Sequence, residues 1–210
     1  VQPSDAYTDV TWAQTGCGLA LYGTSSVLIT GETGGAVKAK IHDNYLVDPN
    51  PFVQPVALAT SADLQGGAAL AGHRLTVVGS SYFVAFTAAD GSAAGLARFG
   101  STLVRDIAMS VPLSGSPPGP TNDLFLAADD FTVSVGLPNG ANGHGVYQFD
   151  AATMTSIGPP ATIGGLGSPH SAGGAAVYRR DQNVFEFWAP TSLGATGESD
   201  LHHGLYSPSF

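Results

Sequence analysis

Charge is what this chain has least of. Asp, Glu, Lys and Arg make up 11% of its 210 residues, under half the usual share in a soluble protein. Ion pairs therefore cannot cover the surface, and Ser, Thr, Asn, Gln and backbone must do so. The cationic side is thinnest, with 7 Lys and Arg against 16 Asp and Glu for a net charge of −9. The lysines are Lys38 and Lys40 alone. Phosphate backbones and anionic membrane surfaces both require clustered cations, so nucleic acid and membrane are excluded as expected partners. A lone Cys17 excludes an internal disulfide and a thiolate metal cluster, and reads as a small buried hydrophobe. No apolar run approaches the ~20 residues of a membrane-spanning helix. No Asn-x-Ser/Thr acceptor occurs, which argues against a heavily N-glycosylated ectodomain. The chain starts at Val1 without a leader, so the expectation is a single β-rich domain over 1–210, excised or processed from a larger protein.

Apolar residues, at 43%, suffice for a core, and their spacing gives its form. In "FTVSVGL", Phe131, Val133, Val135 and Leu137 share one face and Thr132, Ser134 and Gly136 the other, the pattern of a half-buried strand. Similar runs are "SVLITG", "GAVKAKI", "PVALAT", "RLTVVG", "SYFVAFTA", "TLVRDIAM", "DLFLAA", "GVYQFD", "AAVYRR" and "NVFEFWA". Each is bounded by Gly, Pro, Asn, Asp or Ser, as strands between turns are. Helical spacing is nearly absent, and the best candidate, "SADLQGGAALAG", carries a weakening glycine pair. The fold class is all-β, an antiparallel sandwich or barrel of about ten to twelve short strands with long loops. A small β-propeller is the alternative. "YRRDQNVF" and "LITGETGGAV" read as hairpins. The stretches 111–123 and 158–174 read as long loops.

Motifs that carry chemistry are missing. The glycines of "GLPNGANGHG", at 136, 140, 143 and 145, do not form a dinucleotide fingerprint, and a strand rather than a helix follows them. That segment turns the chain. As a polar loop it also offers Asn139, Asn142, His144 and the nearby Tyr147 as candidate receptor- or ligand-binding residues. The six histidines show no zinc spacing, and His202-His203 reads as a polar tail segment. His73 beside Arg74 reads as a solvated edge residue. No G-x-S-x-G nucleophile elbow occurs. Glutamates are only Glu32, Glu186 and Glu198, a poor supply for paired-carboxylate chemistry. Glu186, between Phe185 and Phe187, is expected to face solvent, and Asp129-Asp130 to serve a turn rather than calcium. No cofactor or metal is expected, and no catalytic residue is assigned.

The opening "VQPSDAYTDVTW", the glycine-, alanine- and threonine-rich strands and the ending "LHHGLYSPSF" resemble the projecting capsid spike domains of small non-enveloped RNA viruses of the avian astrovirus type. That resemblance implies a non-enzymatic, extracellular attachment domain on the virion surface. It also implies a homodimer that contacts a host-cell receptor, protein or glycan, through its loops. Two alternatives stand beside it. One is a secreted, propeller-like carbohydrate-binding lectin. The other is a secreted hydrolase whose site is assembled only in space, with His73 and His170 as the histidines to test.

Overall fold

Every alternating segment named above forms a strand, and with four further strands they build four antiparallel meanders in chain order. The computed structural model describes residues 15–24, 26–43, 55–67, 69–111, 124–138, 143–164, 175–192 and 199–206. Sheet 1 holds β1 (Thr15–Tyr22), β2 (Ser26–Thr33), β3 (Ala36–Asp43) and β4 (Val56–Ala59). Sheet 2 holds β5 (Leu70–Val78), β6 (Ser81–Ala88), β7 (Ala94–Phe99) and β8 (Arg105–Val111). Sheet 3 holds β9 (Phe125–Ala128), β10 (Thr132–Pro138), β11 (Gly143–Asp150) and β12 (Ala161–Gly164). Sheet 4 holds β13 (Ala175–Arg179), β14 (Val184–Ser192) and β15 (Ser199–Tyr206). The turns follow their residues. Gly34 and Gly35 both have positive φ, 59° and 73°, which a two-residue hairpin of the twist-matching kind requires.

The first strands of successive sheets lie side by side, β1 against β5, β5 against β9 and β9 against β13. The sheets pack face to face between them, and β6 shows how. Its residues Tyr82, Val84, Phe86 and Ala88 enter one core with Leu28, Val37 and Leu58 of sheet 1. The alternate residues Phe83 and Ala85 enter a second core with Val133, Val135 and Phe149 of sheet 3. Period two here divides a strand between two cores rather than between core and water. Burying rings such as Phe83 and Phe86 stabilises by about 1.5–3 kcal/mol each. Tyr82 also clasps sheet 1, stacked on Tyr22 with centroids 5.7 Å apart and donating its hydroxyl to the Leu21 carbonyl at 3.0 Å. Burial raises the pKa of that hydroxyl. Meanders of three or four strands packed as blades, with their first strands innermost, form a propeller-like array. The all-β antiparallel class is as expected from sequence, and the arrangement is that of its propeller alternative.

Two local expectations are corrected and one, the weakness of the helix candidate, is met. The half-buried reading of "FTVSVGL" fails because both faces of β10 are covered: Val133, Val135 and Leu137 are buried, and so are Thr132 and Ser134. Phe131 precedes the strand and is exposed. The helix candidate "SADLQGGAALAG" yields only a 3₁₀ turn, Ser61–Asp63, after which Gly66 and Gly67 take positive φ and lead into β5. The Thr60 N–H donates to Asp63 Oδ2 at 2.9 Å across that turn. The polar tail around His202 and His203 is the strand β15, with His203 opposite Trp188 and His202 opposite Ala189.

His42 on β3 is fully buried, and neither ring nitrogen has a hydrogen-bond partner among the described residues. An orphaned polar ring pays desolvation without return, while an apolar replacement of similar size does not. His42→Leu is therefore expected to raise the urea midpoint, with a gain of about 1 kcal/mol. A midpoint lowered by the substitution would show that the ring is satisfied.

Candidate functional site

The loop residues singled out from sequence do not converge. Asn139 and Asn142 lie outside the described residues, as do 112–123 and 165–174 within the two long loops. His144 belongs to β11, where its backbone pairs opposite Pro138 and Ile163. Tyr147 is 8% exposed and packs in the second core opposite Val135. Its ring is largely enclosed in that core. The reading of this segment as a chain reversal agrees with the β10–β11 register.

A cleft opens instead between the inner strands. Leu75 and Thr76 of β5, Leu126, Ala127 and Ala128 of β9, and Ala176, Val177 and Tyr178 of β13 line it together with Arg180, around a cavity of about 510 Å³. Its origin is compositional: alanines on facing inner strands leave space that larger side chains would fill. The volume is that of a small-molecule site, and although most of the lining side chains are apolar, the surface they and their backbone present to the cavity is more polar than apolar.

The end at Tyr178 and Arg180 is built by two turns. In the β9–β10 turn, buried Asp129 accepts the Phe131 N–H at 2.7 Å and the Thr132 N–H at 2.6 Å through Oδ1. This is the turn role expected of it. The clamp holds Phe131 outward, 71% exposed. In the β13–β14 turn, Asn183 takes a positive φ of 53° and accepts the Tyr178 hydroxyl at 2.5 Å. Arg180 donates to Asp130, joining the two turns. Asp129, Asp130, Phe131, Tyr178, Arg180 and Asn183 enclose a pocket of about 320 Å³, sharing Tyr178 and Arg180 with the cleft. Behind it, Arg179 donates to Asp181 at 2.8 and 3.1 Å and to Glu186 at 3.2 Å. Hydrogen bonds from Arg179 hold the Asp181 carboxyl below the ordinary aspartate range. Glu186 is 8% exposed, not solvent-facing as expected. Its alternation with Phe185 did turn it away from that ring, but toward an arginine rather than water.

Sequence reasoning missed one constellation. His73 Nδ1 lies 2.8 Å from Glu32 Oε1 and its Nε2 lies 2.9 Å from Thr30 Oγ1. Thr30 Oγ1 also reaches the Gly18 carbonyl at 3.3 Å. His73 is 4% exposed, which corrects its reading as a solvated edge residue. Hydroxyl, imidazole and carboxylate in this order have the connectivity of a nucleophilic triad. Access decides against that role, because Thr30 is 0% exposed and a Cβ on Gly18 would meet Oγ1 at 2.4 Å. No substrate carbonyl fits there. The group is a polar clasp between sheets 1 and 2. No cluster of three or more potential metal ligands occurs among the described residues, and no helix among them is long and apolar enough to cross a membrane.

No protein-family model matches the chain, and no curated protein matches it. Solved structures do, at the level of fold. A GH43 endo-arabinanase from Bacillus licheniformis superposes with a TM-score of 0.54 at 14% identity, covering 94% of this chain and 75% of its own. An α-L-arabinofuranosidase from Podospora anserina, solved with cellotriose, gives 0.52 at 8% identity over 92% of this chain and 66% of its own. A mutant of AofleA from Arthrobotrys oligospora gives 0.56 at 12% identity over 91% and 57%. This chain thus spans three quarters or less of each. Glycoside hydrolases are among the solved structures that share its architecture, and this overturns the expectation of a non-enzymatic capsid attachment domain.

Proposed function

We propose that this chain is a glycan-processing domain of the glycoside hydrolase type, working outside the cell, with the inner-strand cleft as its sugar site. The observation that carries the reading is the cleft itself: a ligand-sized cavity between the first strands of three sheets, in a fold shared with such hydrolases, opening on an aromatic and polar mouth. Sugar rings present apolar faces and polar edges, and this lining offers a surface for each.

A second reading, glycan binding without hydrolysis, has one observation in its favour. Glycoside hydrolysis needs two carboxyl groups free to act on the scissile bond and on water. At the mouth, Asp129 is held by its turn, and Asp130 by Arg180, while Glu186 behind them is held by Arg179.

Incubation with arabinan, galactan and xyloglucan, followed for new reducing ends, separates the readings. Hydrolysis is expected, and Ala176→Trp, which places an indole in the cleft, should reduce it more than tenfold. Retention on an insoluble glycan without release would favour binding alone. Neither release nor retention on any glycan would end both.

A further inference from the structure

We propose that the pocket at the mouth is a separate subsite for a neutral sugar ring carrying a vicinal diol, occupied by the glycan unit lying outside the cleft. This deepens the glycan-processing reading and rests on it for the class of ligand, but its own support is local.

Phe131 is the first part of that support. Its backbone is pinned by both Asp129 bonds, so the turn cannot relax to bury the ring. A large apolar side chain left in water forgoes the stabilisation that burial would give it. A planar apolar partner recovers part of that. The second part is the charge balance. Arg180 and Asp130 pair directly at the pocket wall and Asp129 adds a second carboxylate, so an anionic ligand would meet two carboxylates against one guanidinium, and a cationic one would have to displace Arg180 from Asp130. A neutral diol faces neither penalty. Its two hydroxyls donate to the carboxylate while a third oxygen accepts from the guanidinium. Asn183 completes the set: its Oδ1 accepts from Tyr178, which leaves its NH₂ to donate. Tyr178 is braced against Phe185, with centroids 5.1 Å apart, so the wall is formed before the ligand arrives.

Titration calorimetry with arabinotriose, cellotriose and trigalacturonate tests the assignment. At least one neutral trisaccharide should bind, trigalacturonate should bind more weakly, and Phe131→Ala should weaken the neutral ligand at least tenfold. Phe131→Tyr should restore affinity. Because the Phe131 ring lies in solvent, the thermal midpoint of Phe131→Ala is the control for folding. Affinity unchanged within twofold in Phe131→Ala, preference for the anionic sugar, or no binding by any of the three would overturn the subsite. Reducing-end release measured in parallel keeps the two proposals apart. Release without Phe131-dependent binding ends the subsite alone. Phe131-dependent binding without release ends the hydrolytic reading alone.

Discussion

Gly136→Ala is expected to destabilise the protein by about 3 kcal/mol, the upper end of the usual overpacking range. Gly136 on β10 sits directly opposite Phe125 on β9, and the aromatic ring lies across the glycine. A Cβ built there would stand 1.8 Å from Phe125 Cζ and 1.9 Å from Cε1. The ring has nowhere to retreat, since Phe125 is buried. An aromatic covering a cross-strand glycine is a packing device of sheets, and it fails once the glycine acquires a side chain. Urea unfolding of Gly136→Ala, Phe125→Ala and the double variant measures it. The double variant should be less destabilised than the sum of the singles by about 2 kcal/mol, because removing the ring removes the clash. Strict additivity, or a Gly136→Ala protein as stable as the wild type, would refute this packing. The same arrangement recurs in sheet 2, where Gly95 faces Phe86 and a Cβ would stand 2.3 Å from its Cε2.

His73→Ala should rank close behind, at about 3 kcal/mol. Deleting the imidazole leaves Glu32 and Thr30, both buried, without the partner that joins sheet 1 to sheet 2. Breaking a buried polar pair from one side typically costs more than the pair contributes. Glu32→Gln keeps an acceptor for the ring and should cost less, about 1 kcal/mol. Denaturant midpoints for the two variants provide the check. Equal losses would mean that charge rather than hydrogen bonding holds the clasp, and no loss in His73→Ala would return His73 to the surface.

The strands were legible because each side chain run between turns alternates with period two and the turns carry their own residues, such as Gly34-Gly35 and Asp181 to Asn183. Where the pattern thins, the strands were missed. β7, "AGLARF", and β1, "TGCGLALY", are too rich in glycine and alanine for the alternation to show. β12 and β15 were hidden by flanking loop and tail composition. The candidate site was almost wholly illegible. Alternation reports that two faces differ, not what covers each, so Glu186 and His73 were assigned to water when sheet packing had enclosed them. Tyr147, read as a strand residue near the loop, likewise proves to be enclosed in a core. The mouth pocket joins residues 129–131 to 178–183, and the clasp joins 30–32 to 73. No local spacing encodes such distances along the chain.

The order of residues by itself determined an acidic, sparsely charged chain of short antiparallel strands, with its reversals at glycine, asparagine and aspartate, because backbone conformation and pleat are local matters. Only tertiary structure decided that the meanders stand as blades with their first strands innermost, that alanines on those strands leave a cleft, and that Phe131 and Arg180 meet at its mouth. Burial depends on which sheet arrives opposite, and that is set by side chains far apart in the chain.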